Sequence, residues 1–167
     1  MSGYHKSWTR GLGICALLVF ASSGKAATQS QQSDPEMNHR GDHVMGFSHD
    51  KTTHHFLLTK AGGVIQVQTN DPNDSASRDH IRMHLRHIAK SFAEGDFDDP
   101  METHAQVPPG VPVMKDLRDK ISYKFESMEK GGRVVIRSDD PEAVKALHDF
   151  LRFQIEEHKT GDPLAEP

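Results

Sequence analysis

Twelve histidines, seven methionines and a single cysteine in 167 residues are the side chains of this chain best suited to chemistry. Three of the histidines share one helical spacing in the stretch D-H-I-R-M-H-L-R-H-I: His80, His84 and His87. At about 100° per residue they fall within a sector of roughly 60°, beside an apolar stripe of Ile81, Leu85, Ile88 and Phe92. Imidazoles on the shoulder of a buried face combine packing with access, which suits metal ligands; a partly exposed polar helix edge is the competing reading. Arg82, Arg86 and Lys90 are expected on the far, solvated side.

A second concentration lies upstream, where R-G-D-H-V-M-G-F-S-H-D-K-T-T-H-H-F holds His43, Met45, His49, His54 and His55, after Met37 and His39. Imidazole binds copper, zinc, nickel or iron, whereas thioether sulfur favours Cu(I), so methionine interleaved with histidine points to copper. A third group sits in G-D-F-D-D-P-M-E-T-H-A-Q-V-P-P-G-V-P-V. There Asp96, Asp98, Asp99, Glu102 and His104 offer a further ligand or a general base, although acids beside proline also read as a solvated crossover.

These groups need elements to position them, and the chain supplies a repeat. T-H-H-F-L-L-T-K and V-I-Q-V-Q-T-N flank Ala61-Gly62-Gly63, with the glycine pair expected to form the tight turn of a hairpin, and a helix follows over 75–93. The order recurs as I-S-Y-K-F-E-S-M-E, Lys130-Gly131-Gly132, R-V-V-I-R-S-D-D and a helix over 141–159; a short helical turn is expected over 114–120. Gly62-Gly63 matches Gly131-Gly132, and Asp71-Pro72 matches Asp140-Pro141. Two ββα repeats predict an α+β domain, a four-stranded antiparallel sheet with both helices packed on one face.

Strand parity then orients the histidines. Ile121, Tyr123 and Phe125 share a face whose counterparts in the first half are Thr52, His54 and Phe56, so His54 should point to the helices and His55 away from them. On the second helix His158 falls in the stripe of Val144, Leu147, Leu151 and Ile155, with His148 at its edge. His158 is read as a helix-end histidine favoured by the dipole, and His148 as a satisfied structural one.

The first 26 residues read as a signal peptide: His5, Lys6 and Arg10 precede an apolar run over 11–22, too short to span a bilayer, and Gly24-Lys25-Ala26 offers a cleavage site. Residues 27–40, rich in Gln and Ser, read as a flexible leader, and 41–167 as a single domain. The protein is expected to be periplasmic or secreted, with no membrane span after cleavage. Cys15 would leave with the signal, which removes disulfide, thiolate and covalent haem chemistry. So would Lys6, Arg10 and Lys25, leaving 17 basic against 24 acidic residues and arguing against nucleic acid.

T-T-H-H-F, H-L-R-H-I, P-P-G-V-P-V-M and H-D-F-L-R-F-Q-I-E-E-H-K-T-G-D resemble an uncharacterised family of exported bacterial proteins. The resemblance covers nearly all of the chain after residue 26 and implies export and a compact single domain; it carries no catalytic residue. G-x-S-x-G, H-E-x-x-H, a phosphate-binding glycine loop and a dinucleotide fingerprint are absent from the sequence.

The expectation is therefore a periplasmic histidine-rich metal-binding protein that buffers, senses or hands over copper, with zinc or iron as other ions and a periplasmic protein as the partner for hand-over. Its ligands are expected to be His54, His84 and His87, with Met45, His49 or His104 completing the shell and His80 and His43 as second choices. A mononuclear metalloenzyme on the same site, with a carboxylate of 96–102 as base, and a non-metal module whose imidazoles respond to pH are the alternatives.

Overall fold

The computed structural model describes residues 34–167, together with Met1 and Gly3. The rest of the expected signal segment, and 27–33 of the expected leader, lie outside the described residues. The elements are α1 (Pro35–Met45), β1 (Thr52–Thr59), β2 (Gly62–Thr69), α2 (Ser75–Glu94), α3 (Asp98–His104), α4 (Val111–Asp116), β3 (Ile121–Met128), β4 (Gly131–Ser138) and α5 (Pro141–His158). Single 3₁₀ turns at His49–Lys51 and Arg118–Lys120 lead into β1 and β3. The four strands form one antiparallel sheet in the order β1-β2-β4-β3. The expected α+β architecture of two ββα units is thus the observed one. Among the described residues, no helix is long and apolar enough to cross a membrane.

The hairpins differ from expectation in where their glycines sit. The turns are Lys60-Ala61 and Glu129-Lys130, and each glycine pair opens the strand that follows. Their role is close approach at the centre of the sheet. A Cβ on Gly62, whose φ is +140°, would strike the Ile136 carbonyl oxygen, and one on Gly131 would strike that of Val67. The two contacts are equivalent under the repeat, as are the bonds that Thr69 N–H and Ser138 N–H donate to Lys130 O and Ala61 O, both at 2.8 Å.

Helix ends follow their capping residues. Asp74 accepts from Ser77 N and Ser77 Oγ (2.9 and 2.7 Å) at the start of α2, and Gly95 ends it in the left-handed conformation. Asp140 accepts from Glu142 N and Ala143 N ahead of Pro141 in α5. Each helix covers mainly the hairpin of the other half, α2 lying on β3 and β4 and α5 on β1 and β2. One polar side chain from each helix fixes the hairpin it covers. Arg82 donates to Met128 O (Nη2, 2.6 Å) and Gly131 O (Nε, 3.1 Å), and His148 Nε2 pairs with Thr59 O at 2.9 Å. His148 is therefore the satisfied structural residue expected. Arg82 is thus not on a solvated face, whereas Arg86 is exposed as expected, with its guanidinium 4.6 Å from the centre of the Phe125 ring.

Two segments read as irregular are helical. The expected leader is already helical from Pro35, because Asp34 caps it through Glu36 N and proline suits the first helical position; Met37 is buried. The 96–102 connection holds α3, anchored by Phe97, which is fully buried and stacks on Phe92 at 4.4 Å. Arg40 Nε donates to Thr103 O (3.0 Å) and ties α1 to α3.

The glycine geometry yields a stability prediction. Gly62→Ala combines a positive φ with a collision against main chain, and should cost at least about 2 kcal/mol in urea unfolding. Ala61→Gly, in the turn, should cost no more than about 1 kcal/mol. Equal midpoints for the two variants would contradict the assignment.

Candidate functional site

A cavity of about 70 Å³ lies over β1 and β2, between α2 and α5, and is closed by α1 and α3. Its floor and walls are apolar, with Phe56, Ile65, Val67, Leu85, Ile88, Phe92 and Phe150 among the lining residues. Its polar lining is unusual: four imidazoles, His54, His84, His104 and His158, together with Met45, Thr103, Gln154 and Asp99.

Each imidazole arrives by a different route. His54 is brought in by strand parity, flanked by Phe47 and Phe56 with ring centres 6.2 and 6.5 Å away. His84 comes from the inner shoulder of α2 and meets Phe47 edge-on at 5.8 Å. His158 reaches over β1 because α5 crosses onto the first hairpin, and its ring lies parallel to that of His54 at 5.8 Å. His104, from the last turn of α3, stands perpendicular to His158 at 5.1 Å.

Burial decides the charge of these rings. It lowers His54 and His84 to about 4, with neighbouring imidazoles adding repulsion. Burial likewise carries His158 well below the usual histidine range and lowers His104 against the opposing pull of its Gln154 hydrogen bond. All four are neutral at physiological pH. Asp99 is shifted the other way, burial raising its carboxyl.

Three buried polar atoms around the cavity lack partners: His54 Nε2, His104 Nδ1 and Gln154 Nε2. For His104 the hydrogen-bond pattern fixes the tautomer. Gln154 Oε1 accepts from Nε2–H at 3.0 Å, which leaves Nδ1 with a free lone pair, and Glu157 Oε2 is too distant at 3.9 Å to bond it. Unpaired buried polar atoms are rare, and three at one small cavity make it the candidate site among the described residues.

The structure sorts the sequence candidates. His54, His84, His104 and Met45 line the cavity. His87 does not: it points outward, 57% exposed, with Nε2 3.5 Å from Asp99 Oδ2 and 3.4 Å from Ser91 Oγ. His80 and His43 are exposed on their helices. His49 is engaged by Asp42 (2.9 Å) and Asp50 (3.2 Å), and His55 points away from the helices to Asp162, as expected, at 2.9 Å. Among the described residues no three His, Cys, Asp or Glu side chains converge, as placed, to hold an ion. The expected set of His54, His84 and His87 is therefore not assembled, because the turn of α2 that aims His84 inward aims His87 at the rim.

Sequence reasoning set His158 aside as a helix-end histidine and gave Gln154 no role. A protonated ring would gain from the helix C-terminus, but His158 is half-buried, packed against three aromatic rings and held neutral. The signal that would have found both is the α5 stripe itself, whose apolar run ends in Gln154 and His158. No family model, no curated protein and no solved structure matches this chain.

The neutral imidazoles carry a pH prediction. The unfolded chain binds protons at His54 and His84 near 6.5 and the folded one only near 4, so the unfolded state holds more protons between these values. Stability is then full above about pH 6.5 and falls as the pH drops toward 4. Denaturation midpoints measured across this window should fall steeply for the wild type and much less for His54→Gln/His84→Gln; equal slopes would show that the rings are solvated.

Proposed function

We propose that the cavity is a transition-metal site and that this protein binds, buffers or hands over the ion, in keeping with the exported location expected from residues 1–26. The observation that carries this reading is four neutral imidazoles lining one cavity, two of which, His54 and His104, keep an unpaired buried nitrogen and stand at metal-sharing spacing from His158. Two imidazoles bound to one ion at about 2 Å each have ring centres roughly 5 to 6 Å apart. His104–His158 and His158–His54 stand at 5.1 and 5.8 Å. Rotation about χ2, a broad torsion for histidine, is the movement needed to turn their nitrogens onto one point.

The electrostatics support the same reading. A metal competes with protons for each imidazole, and rings with lowered pKa values present free lone pairs at neutral pH. Gln154 acts on the site through His104, holding the ring by Nε2–H and leaving Nδ1 to ligate, the outer-shell arrangement common around metal-bound histidine.

A metalloenzyme on this site is favoured by one observation: Asp99, a carboxylate of the expected 96–102 group, lines the cavity and burial raises its pKa. It would serve as proton acceptor for a metal-bound water. Hydrolytic or redox turnover lost in Asp99→Asn with metal content unchanged would establish that reading over a carrier.

Metal titration followed by elemental analysis tests the site. One equivalent should bind to the wild type and to His43→Ala/His80→Ala, and be lost in His54→Ala and His158→Ala. Retention of the ion in both latter variants would refute the site. Gln154→Leu should keep the stoichiometry and weaken affinity by roughly tenfold or more; unchanged affinity would show that Gln154 does not position His104.

A further inference from the structure

We propose that the ion this cavity selects is Cu(I), with Met45 as its thioether ligand, carried into the site by α1. The inference rests on the metal-site reading above and adds the identity of the ion and a ligand outside the histidine cluster.

Two observations lead to it. The first is the charge of the lining. Every donor that faces the cavity is neutral except Asp99, the one carboxylate among the lining residues, and the next carboxylate, Glu157, stands 3.9 Å from His104 Nδ1 with its side chain 42% exposed. The remaining walls are aliphatic and aromatic. An ion's desolvation cost grows with the square of its charge, so a divalent ion entering such a cavity loses about four times the hydration energy of a monovalent ion of equal size. Imidazoles and a thioether return no negative charge to offset that loss and Asp99 returns at most one, which balances a monovalent ion and leaves a divalent one half uncompensated. Among transition metals bound by imidazole and thioether, that ion is Cu(I).

The second observation is how Met45 is held. It is the last residue of α1, and Gly46 ends the helix directly after it in the left-handed conformation, with φ of +74°. Met45 packs against the core and, with Val44, lines the same cavity as the histidines of β1, α2, α3 and α5. Helix α1 is fastened there from outside the cavity. Arg40 binds Thr103 O on α3, and Asp42 accepts from both the backbone N–H and Nδ1 of His49 at 2.8 and 2.9 Å. A flexible apolar side chain closing an apolar cavity could be leucine or isoleucine with equal burial; sulfur supplies a soft donor on a wall, that of α1, which has no imidazole.

The experiment compares Met45→Leu with the wild type for two ions. Cu(I), supplied anaerobically as its acetonitrile complex, competes against a chromophoric Cu(I) chelator, and Zn(II) competes against a zinc indicator. Met45→Leu, which conserves volume, should lose about tenfold or more in Cu(I) affinity and change Zn(II) affinity by less than about twofold. X-ray absorption of the Cu(I) form should show a sulfur scatterer at about 2.3 Å that the variant lacks. That spectrum stays decisive even if the variant folds less well, because it is read on the wild type. An ion held by the histidines with no sulfur in its shell, or equal loss of both ions in Met45→Leu, would overturn the inference and leave the metal site intact. Failure of both ions to bind the wild type would overturn the metal site and this inference with it.

Discussion

The two hairpins meet along β2 and β4 at a distance that only glycine permits, and the remainder of the fold follows from that contact. Gly62 lies against the Ile136 carbonyl and Gly131 against that of Val67, so a methyl group at either point would push the halves of the sheet apart. With the hairpins joined this way, each helix leaves its own half and covers the other. Arg82 and His148 then do equivalent work by different chemistry, each meeting the backbone of the hairpin its helix covers. The crossing of α5 is also what sets His158 over His54, although the two lie at opposite ends of the domain in sequence.

That arrangement stores an unfavourable term in one place. A buried polar atom without a partner costs about 1 to 3 kcal/mol, and the cavity has three such atoms. Domain stabilities are of the order of 5 to 15 kcal/mol in total, so this is a substantial fraction to set against the apolar core of Phe92, Phe97 and Phe150. A ligand that accepts the lone pairs of His54 and His104 would recover part of it, coupling binding to stability in the same groups that make the metal-free protein sensitive to acid.

The sheet and both long helices were legible in the sequence because their signals are local: glycine pairs at matched positions, aspartate caps, alternation in strands and a helical stripe. Strand parity placed His54 on the helix side and His55 on the other. What sequence did not reveal depends on long-range packing. Helix α3 has only short apolar content and no side-chain cap, and its burial comes from Phe97 and from α1; hence His104 read as a loop residue of uncertain use. Helix α1 was hidden by a polar composition in which only Met37 and Gly41 are buried. His87 was misplaced for a finer reason, since a sector of roughly 60° on a wheel spans the difference between the wall of a cavity and its rim.

The abundance of histidine is consequently a poor guide to the site, and the fate of each ring nitrogen is a better one. His148 spends Nε2 on Thr59 O, His55 spends Nδ1 on Asp162, and His49 is held between Asp42 and Asp50. Each of these has an oxygen acceptor at hydrogen-bond distance, and each serves to pin a turn, a sheet edge or a helix end. His54 and His104 keep a buried nitrogen with nothing to meet it, and they are linked through His158 by ring contacts alone. Such atoms in a protein interior call for a partner from outside the chain, an ordered water or a ligand. The division between paired and unpaired imidazoles, which the sequence cannot display, is what separates the histidines that build this fold from those that make it a candidate for binding metal.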